Sequence, residues 1–119
     1  MILLICGSRE WTNKTIIAAP LANLMYLGIR PTVIHGNCRG ADKIADKVAK
    51  KLGLPVFACD AQWETYGRAA GPVRNRWMAD MEPDLVWAFH KNLMRSTGTR
   101  NMIYCAKSRD IPFKVWTGK

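Results

Sequence analysis

Acidic residues are scarce in this 119-residue chain: nine Asp and Glu stand against eighteen Lys and Arg, a formal net charge of +9. That excess excludes an acidic tail and favours anionic partners such as nucleotides, nucleic acid or an acidic protein surface. Part of it is plain solvation, since Lys43, Lys47, Lys50 and Lys51 read as one exposed helix face. Long apolar runs are missing as well. None approaches the roughly 20 residues of a membrane helix, so no membrane partner is expected. Met1 to Cys6 is apolar but too short for a signal peptide, and it lacks a basic lead-in. The four cysteines, at 6, 38, 59 and 105, include no C-x-x-C pair, which sets aside a zinc knuckle and leaves no metal expected. Cys6, Cys59 and Cys105 lie in apolar stretches and read as reduced core thiols, in keeping with a cytoplasmic address. The chain has neither the Gly-Lys-Ser/Thr of a Walker A loop nor G-x-G-x-x-G after its first apolar run, which disfavours an ordinary ATPase or an NAD dehydrogenase. No cofactor is expected. Repeats and low-complexity segments are absent. The remainder, 49% hydrophobic and 23% charged, suits one folded domain over residues 1–119.

The apolar pattern alternates between short runs and amphipathic stretches. Ile2 to Cys6 is a continuous apolar run, the habit of a strand buried on both faces of a parallel sheet. A helix is expected from Asn13 to Leu27, with Thr12 or Asn13 as its cap and Pro20 kinking it or disturbing its first turn. Gly28 stops it and Pro31 blocks its continuation. Thr32 to His35 is the second strand. Ala41 to Leu52 is the clearest helix, with Ala41, Ile44, Ala45, Val48, Ala49 and Leu52 on one face and Gly53 as its stop. Pro55 to Cys59 follows as a strand, and Asp60 to Ala70 reads as a polar, aromatic loop. Gly71-Pro72 starts a helix that runs to about Met81, with Val73, Trp77, Met78 and Met81 as its packing side. Leu85 to Phe89 is the fourth strand, His90 to Thr97 a loop, Gly98 to Arg109 a helix and Phe113 to Trp116 the fifth strand. Strict β-α alternation implies an α/β fold with a parallel sheet and helices on both faces.

Loops leaving the carboxyl ends of parallel strands emerge on one edge, where ligands bind. Three such loops share a composition: Gly7-Ser8-Arg9-Glu10-Trp11, Gly36-Asn37-Cys38-Arg39-Gly40-Ala41-Asp42 and Ser96-Thr97-Gly98-Thr99-Arg100-Asn101. Each offers glycine for close backbone approach, a hydroxyl or amide side chain, an arginine, and then a helix amino end with free N–H groups. That combination can hold a phosphate without a metal. A single glycine loop would be weak evidence, but three on one edge converge.

The same residues carry a resemblance. Gly7-Ser8-Arg9 with Trp11, His35-Gly36 with Arg39-Gly40-Ala41-Asp42, Trp63 with Tyr66-Gly67, Gly71-Pro72 with Arg74-Asn75 and Met78-Ala79, then Asp84, Ala88-Phe89 and Gly98 to Met102 resemble, in order, the YspA-like branch of the SLOG superfamily over roughly residues 2–115. The resemblance implies a Rossmann-like three-layer sandwich with about five parallel strands in the order 3-2-1-4-5. It also implies a nucleotide-derived ligand and a frequent home in bacteriophages, hence a host cytoplasm. The superfamily includes the Lonely Guy type phosphoribohydrolases, which cleave nucleoside monophosphates and whose dimers imply a homodimer here, and the DNA-processing protein that loads single-stranded DNA. Arg74-Asn75-Arg76-Trp77-Met78 is similar to the Lonely Guy arginine helix, with Arg74 in place of its catalytic arginine. Ser96-Thr97-Gly98-Thr99 is similar to its phosphate loop. Asn101 stands where those enzymes keep a glutamate, and an amide cannot serve as acid or base at neutral pH.

Arg9 and Arg39 are the first candidates for phosphate or ribose contacts. Arg74 is expected in the first turn of its helix, where a cation opposes the dipole, so a use is implied; a salt bridge to Asp80 or Glu82 is the alternative. Ser8 and Thr99 read as ligand donors or as helix caps. Asp42 reads as a dipole partner or a ribose contact, and His35 as structural. Trp11, Trp63 and Tyr66 offer faces for a base, with core packing as the alternative for Trp11, whereas Trp77, Trp87 and Trp116 read as core. The expected site is thus Gly7, Ser8, Arg9, Trp11, Gly36, Arg39, Gly40, Asp42, Arg74, Asn75, Ser96, Gly98, Thr99 and Asn101. The leading reading is a nucleotide-ligand sensor or sequestering module. Asn101 weakens the alternative of an N-glycosidase using Arg74. Single-stranded nucleic-acid binding is the third reading, motivated by charge.

Overall fold

The computed structural model describes residues 1–118; Lys119, the last residue of the expected domain, lies outside them. The described residues form five strands and five helices, which alternate except that two helices lie between β3 and β4: β1 (Ile2–Gly7), α1 (Lys14–Tyr26), β2 (Thr32–His35), α2 (Ala41–Lys51), β3 (Val56–Ala58), α3 (Trp63–Tyr66), α4 (Ala70–Asp80), β4 (Leu85–Phe89), α5 (Gly98–Ser108) and β5 (Phe113–Trp116). Single 3-10 turns lie at Gly67–Ala69 and Leu93–Arg95. The sheet is wholly parallel in the order β3-β2-β1-β4-β5. This is the Rossmann-like arrangement that the resemblance implied.

Strand alternation sorts the core into two layers. Leu3 and Ile5 of β1 pack with Ile17, Leu21, Ala45 and Val48, the apolar sides of α1 and α2. Leu4 and Cys6 pack with Met78, Ala79, Met102 and Ile103, from α4 and α5 on the opposite face. β1 lies at the centre of the sheet, so its apolar run is buried on both sides. The chain runs outward from β1 through β2 to β3, then crosses to β4 and continues to β5. The order therefore reverses between β1 and β4, and the crevice above their carboxyl ends is where such sheets take ligands.

Local signals set most element ends. Asn13 caps α1 by accepting from the Ile16 amide at 3.2 Å. α1 runs on through Pro20, which stands in its second turn rather than its first, so only the Ile16 carbonyl loses its helical donor. Three expectations need correction. The stretch 60–70 is not all loop: it holds α3 and the Gly67–Ala69 turn. α4 begins at Ala70, so Pro72 is its third residue, still within the turn whose amides need no helical acceptor, and Arg74 falls in the second turn. Trp77 is 38% exposed and meets Tyr66 edge-on at 5.9 Å, because the buried face of α4 is Ala70, Arg74, Asn75, Met78 and Ala79.

Candidate functional site

A cavity of about 550 Å³ opens above the carboxyl ends of β1, β2 and β4, between the amino ends of α4 and α5. Its wall is assembled from all three glycine loops, but the loops do different work.

The first loop braces its neighbours. A Cβ on Gly7 would collide with the Phe89 carbonyl and stand 2.7 Å from the Ala41 side chain, so only glycine lets β1 and α2 approach. The Ser8 amide donates to Phe89 O at 2.8 Å, and the Ser8 carbonyl accepts from Ala41 N at 3.0 Å and Trp11 N at 3.2 Å. Ser8 Oγ accepts from Glu10 N at 3.0 Å. Gly7, Ser8, Arg9 and Glu10 line the cavity. Trp11 does not. It is 2% exposed, donates through Nε1 to Asn13 O at 2.9 Å and meets Phe89 edge-on at 5.7 Å, so it is core, the alternative reading of this residue.

The second loop is closed by its own chain. Asp42 Oδ2 accepts from Gly36 N at 3.1 Å and Cys38 N at 3.2 Å, while Cys38 O accepts from Lys43 N. Together with the Ala41–Ser8 bond, these contacts satisfy much of the amino end of α2 from within the protein. Gly40 holds a left-handed φ of +79° and packs against the Ser8 carbonyl, which accounts for its identity without a ligand. Arg39 does not line the cavity; it pairs at 2.7 Å with Glu10, which does, and both side chains are mostly exposed. His35 is fully buried, accepts from Asn37 N at Nδ1 and lies 2.8 Å from Asp46 Oδ1 through Nε2, the structural role expected of it. Burial raises the Asp46 carboxyl, but the Lys50 and His35 hydrogen bonds prevail and hold it below the ordinary range.

Arg74 and Asn75 tie the second loop to the third. Arg74 is buried, and its guanidinium lies over Gly36, where a Cβ would stand 2.7 Å from Cζ. It donates through Nη1 to Gly36 O at 2.7 Å and through Nε to Asn75 Oδ1 at 3.0 Å. Nη2 has no partner among the described residues, while Arg74 lines the cavity. Among the described residues no salt bridge reaches it: Asp80 pairs with Arg109 instead. Asn75 Nδ2 donates to Gly98 O at 3.2 Å and to Asn101 Oδ1 at 2.9 Å.

The third loop is open. Ser96 Oγ accepts from Thr99 N at 2.9 Å and Thr97 O from Asn101 N at 3.0 Å. The amides of Gly98 and Arg100 find no acceptor among the described residues. A Cβ on Gly98 would meet nothing within 4 Å. Ser96, Gly98, Thr99 and Asn101 all line the cavity.

Buried charge shapes the floor. Burial raises the Asp42 carboxyl above its ordinary value despite the amides of Cys38 and Gly36 and the nearby His35 and Arg74; its Oδ1 is buried without a partner among the described residues. Burial, with Asp42 adding to it, pushes the Cys6 thiol far up, and burial pulls His90 down. Among the described residues, no group of three or more His, Cys, Asp or Glu could hold a metal ion.

Of the expected residues, Trp11, Arg39 and Gly40 therefore stand outside the cavity and the other eleven line it. Cys6, Glu10, Cys38, Arg68 and His90 also line it. Position could have found four of these: Glu10 and Cys38 lie in the first two glycine loops, His90 directly follows β4, and Arg68 lies on the segment leaving β3. Cys6 gave no signal, because an apolar wall reads as core.

The profile of the YAcAr family, described as YspA, cpYpsA-related SLOG family, matches residues 1–66, which hold the first two loops and α3. A relative, the Gene 61 protein of Mycobacterium phage D29, is 36% identical over 118 residues, covering 92% of this chain and 91% of that protein. No helix among the described residues is long and apolar enough to cross a membrane.

Proposed function

The chain belongs to the YspA, cpYpsA-related SLOG family, and on that premise we propose that it binds a nucleotide or nucleotide-derived phosphate ligand above β1 and β4, as a sensor or sequestering module. The observation that carries this reading is the open amino end of α5. Its Gly98 and Arg100 amides are unpaired, its glycine borders free space, and it faces the same cavity as the unpaired Nη2 of Arg74. Helix amides and a guanidinium together suit a phosphate group. Arg9 and Arg68 add positive charge at the same cavity. A panel of mono-, di- and cyclic nucleotides and ADP-ribose derivatives tests it. At least one is expected to raise the melting temperature, since a ligand of the native state stabilises it. No shift across the panel sinks the reading.

A second reading, cleavage of a nucleoside monophosphate, is favoured by the burial of Arg74 at the cavity. It is opposed by the use already made of that side chain: Nη1 and Nε serve Gly36 and Asn75, and Asn101 serves Asn75. Asp42 and Glu10 are the carboxylates at the cavity, and Glu64 does not line it. Release of free base that disappears in Arg74→Ala would establish this second reading over simple binding; the expected result is no release from the native protein.

A further inference from the structure

Trp63 is out of place by the rules of folding. It opens a helix of four residues and keeps 52% of its surface exposed. A tryptophan on so short an element would ordinarily be covered, because an exposed indole forgoes the burial that stabilises it. The position is nevertheless fixed. Gln62 O accepts from the amides of Thr65 and Tyr66, and Tyr66 meets Trp77 of α4 edge-on at 5.9 Å. Cη2 of Trp63 lies 3.8 Å from where a Cβ on Gly71 would stand, so the indole sits beside the first turn of α4. From there it lines the cavity, next to Gly71 and Pro72. One cavity thus presents an aromatic surface from α3 and unpaired amides from α5.

A ligand matching both ends carries a phosphate and a flat ring. We propose that Trp63 is the base platform of the site, so that the protein selects phosphate esters bearing a nucleobase over bare sugar phosphates. This rests on the phosphate reading above and adds the part of the ligand that reading leaves open. Stacking tolerates every base, since each has a π-face, so the platform demands a base without naming one.

The experiment compares the affinities of AMP, GMP, CMP and UMP with that of ribose 5-phosphate, in the native protein and in Trp63→Ala and Trp63→Phe. In the native protein, the tightest nucleotide is expected to bind about five- to a hundredfold more tightly than ribose 5-phosphate. That ratio falls to about one in Trp63→Ala and is largely kept in Trp63→Phe, which retains a ring. The ratio is taken within each variant, so a general loss of stability or affinity cancels. Equal binding of ribose 5-phosphate and the nucleotides by the native protein overturns the proposal and leaves the phosphate reading standing. So does an undiminished ratio in Trp63→Ala. Failure of all five ligands to bind overturns the proposal, whereas the phosphate reading falls only if the wider nucleotide panel fails as well.

Discussion

The amino ends of α2 and α5 come from loops of similar composition, each with glycine, arginine and a small polar side chain, and both sit on the same edge of the sheet. They are filled to different degrees. At α2 the chain fills its own site: Asp42 takes the amides of Gly36 and Cys38, Ser8 takes that of Ala41, and Gly40 is packed against Ser8. At α5 one hydroxyl, Ser96, turns the chain, and the amides of Gly98 and Arg100 are left over. Glycine content is therefore a poor guide to ligand contact. The space around the glycine decides, and the difference follows from which neighbours the fold brings against it.

Substitution at α2 should show the largest effect. Gly40→Ala combines a left-handed backbone with a Cβ driven into Ser8 O, for an expected loss of about 3 kcal/mol in urea unfolding. A loss below about 1 kcal/mol would mean that this end is not closed, and the contrast between the two loops would collapse.

Asp42→Asn gives a smaller and pH-dependent change. The folded protein holds the Asp42 proton more tightly than the unfolded chain does, so this group's stabilising contribution is complete below its ordinary value of 3.8 and is lost as pH rises through the raised folded value. Asparagine keeps an oxygen for Gly36 and Cys38 but carries no charge. Urea midpoints measured from about pH 4 to pH 8 should decline less steeply in Asp42→Asn than in the native protein. Parallel declines would assign the slope to other groups.

Gly98→Ala should be nearly silent in stability, within about 0.5 kcal/mol, because nothing lies within 4 Å of the new methyl. It should weaken a phosphate ligand about tenfold by occupying the free space. Isothermal titration beside urea unfolding separates the two effects, and unchanged affinity would show that the open end is not where the ligand sits.

Much of this molecule is legible in its sequence. Apolar runs located all five strands, and β2, β4 and β5 have the bounds the pattern gives. Helix stops at Gly28 and Gly53 are both left-handed glycines, with φ of +83° and +75°. The residues around the cavity were legible because a parallel sheet sends its strand-end loops to one edge. Errors cluster on α3 and α4. There the buried face of α4 includes Arg74 and Asn75, which line the cavity, so hydrophobicity no longer marks the inside and the apolar pattern puts Trp77 on the wrong side.

The sequence by itself determined the alternating elements and the edge at which they end, because both follow from contacts within a few residues: apolar period, glycine stops, caps. Only the tertiary structure decided which loop is open, which tryptophan is core and which faces the cavity. Gly36 is covered by a guanidinium 38 positions away, and Gly40 by the carbonyl of Ser8 from another strand's end. Free space beside a residue is set by such distant neighbours, so it is a property of the packed chain and not of the segment.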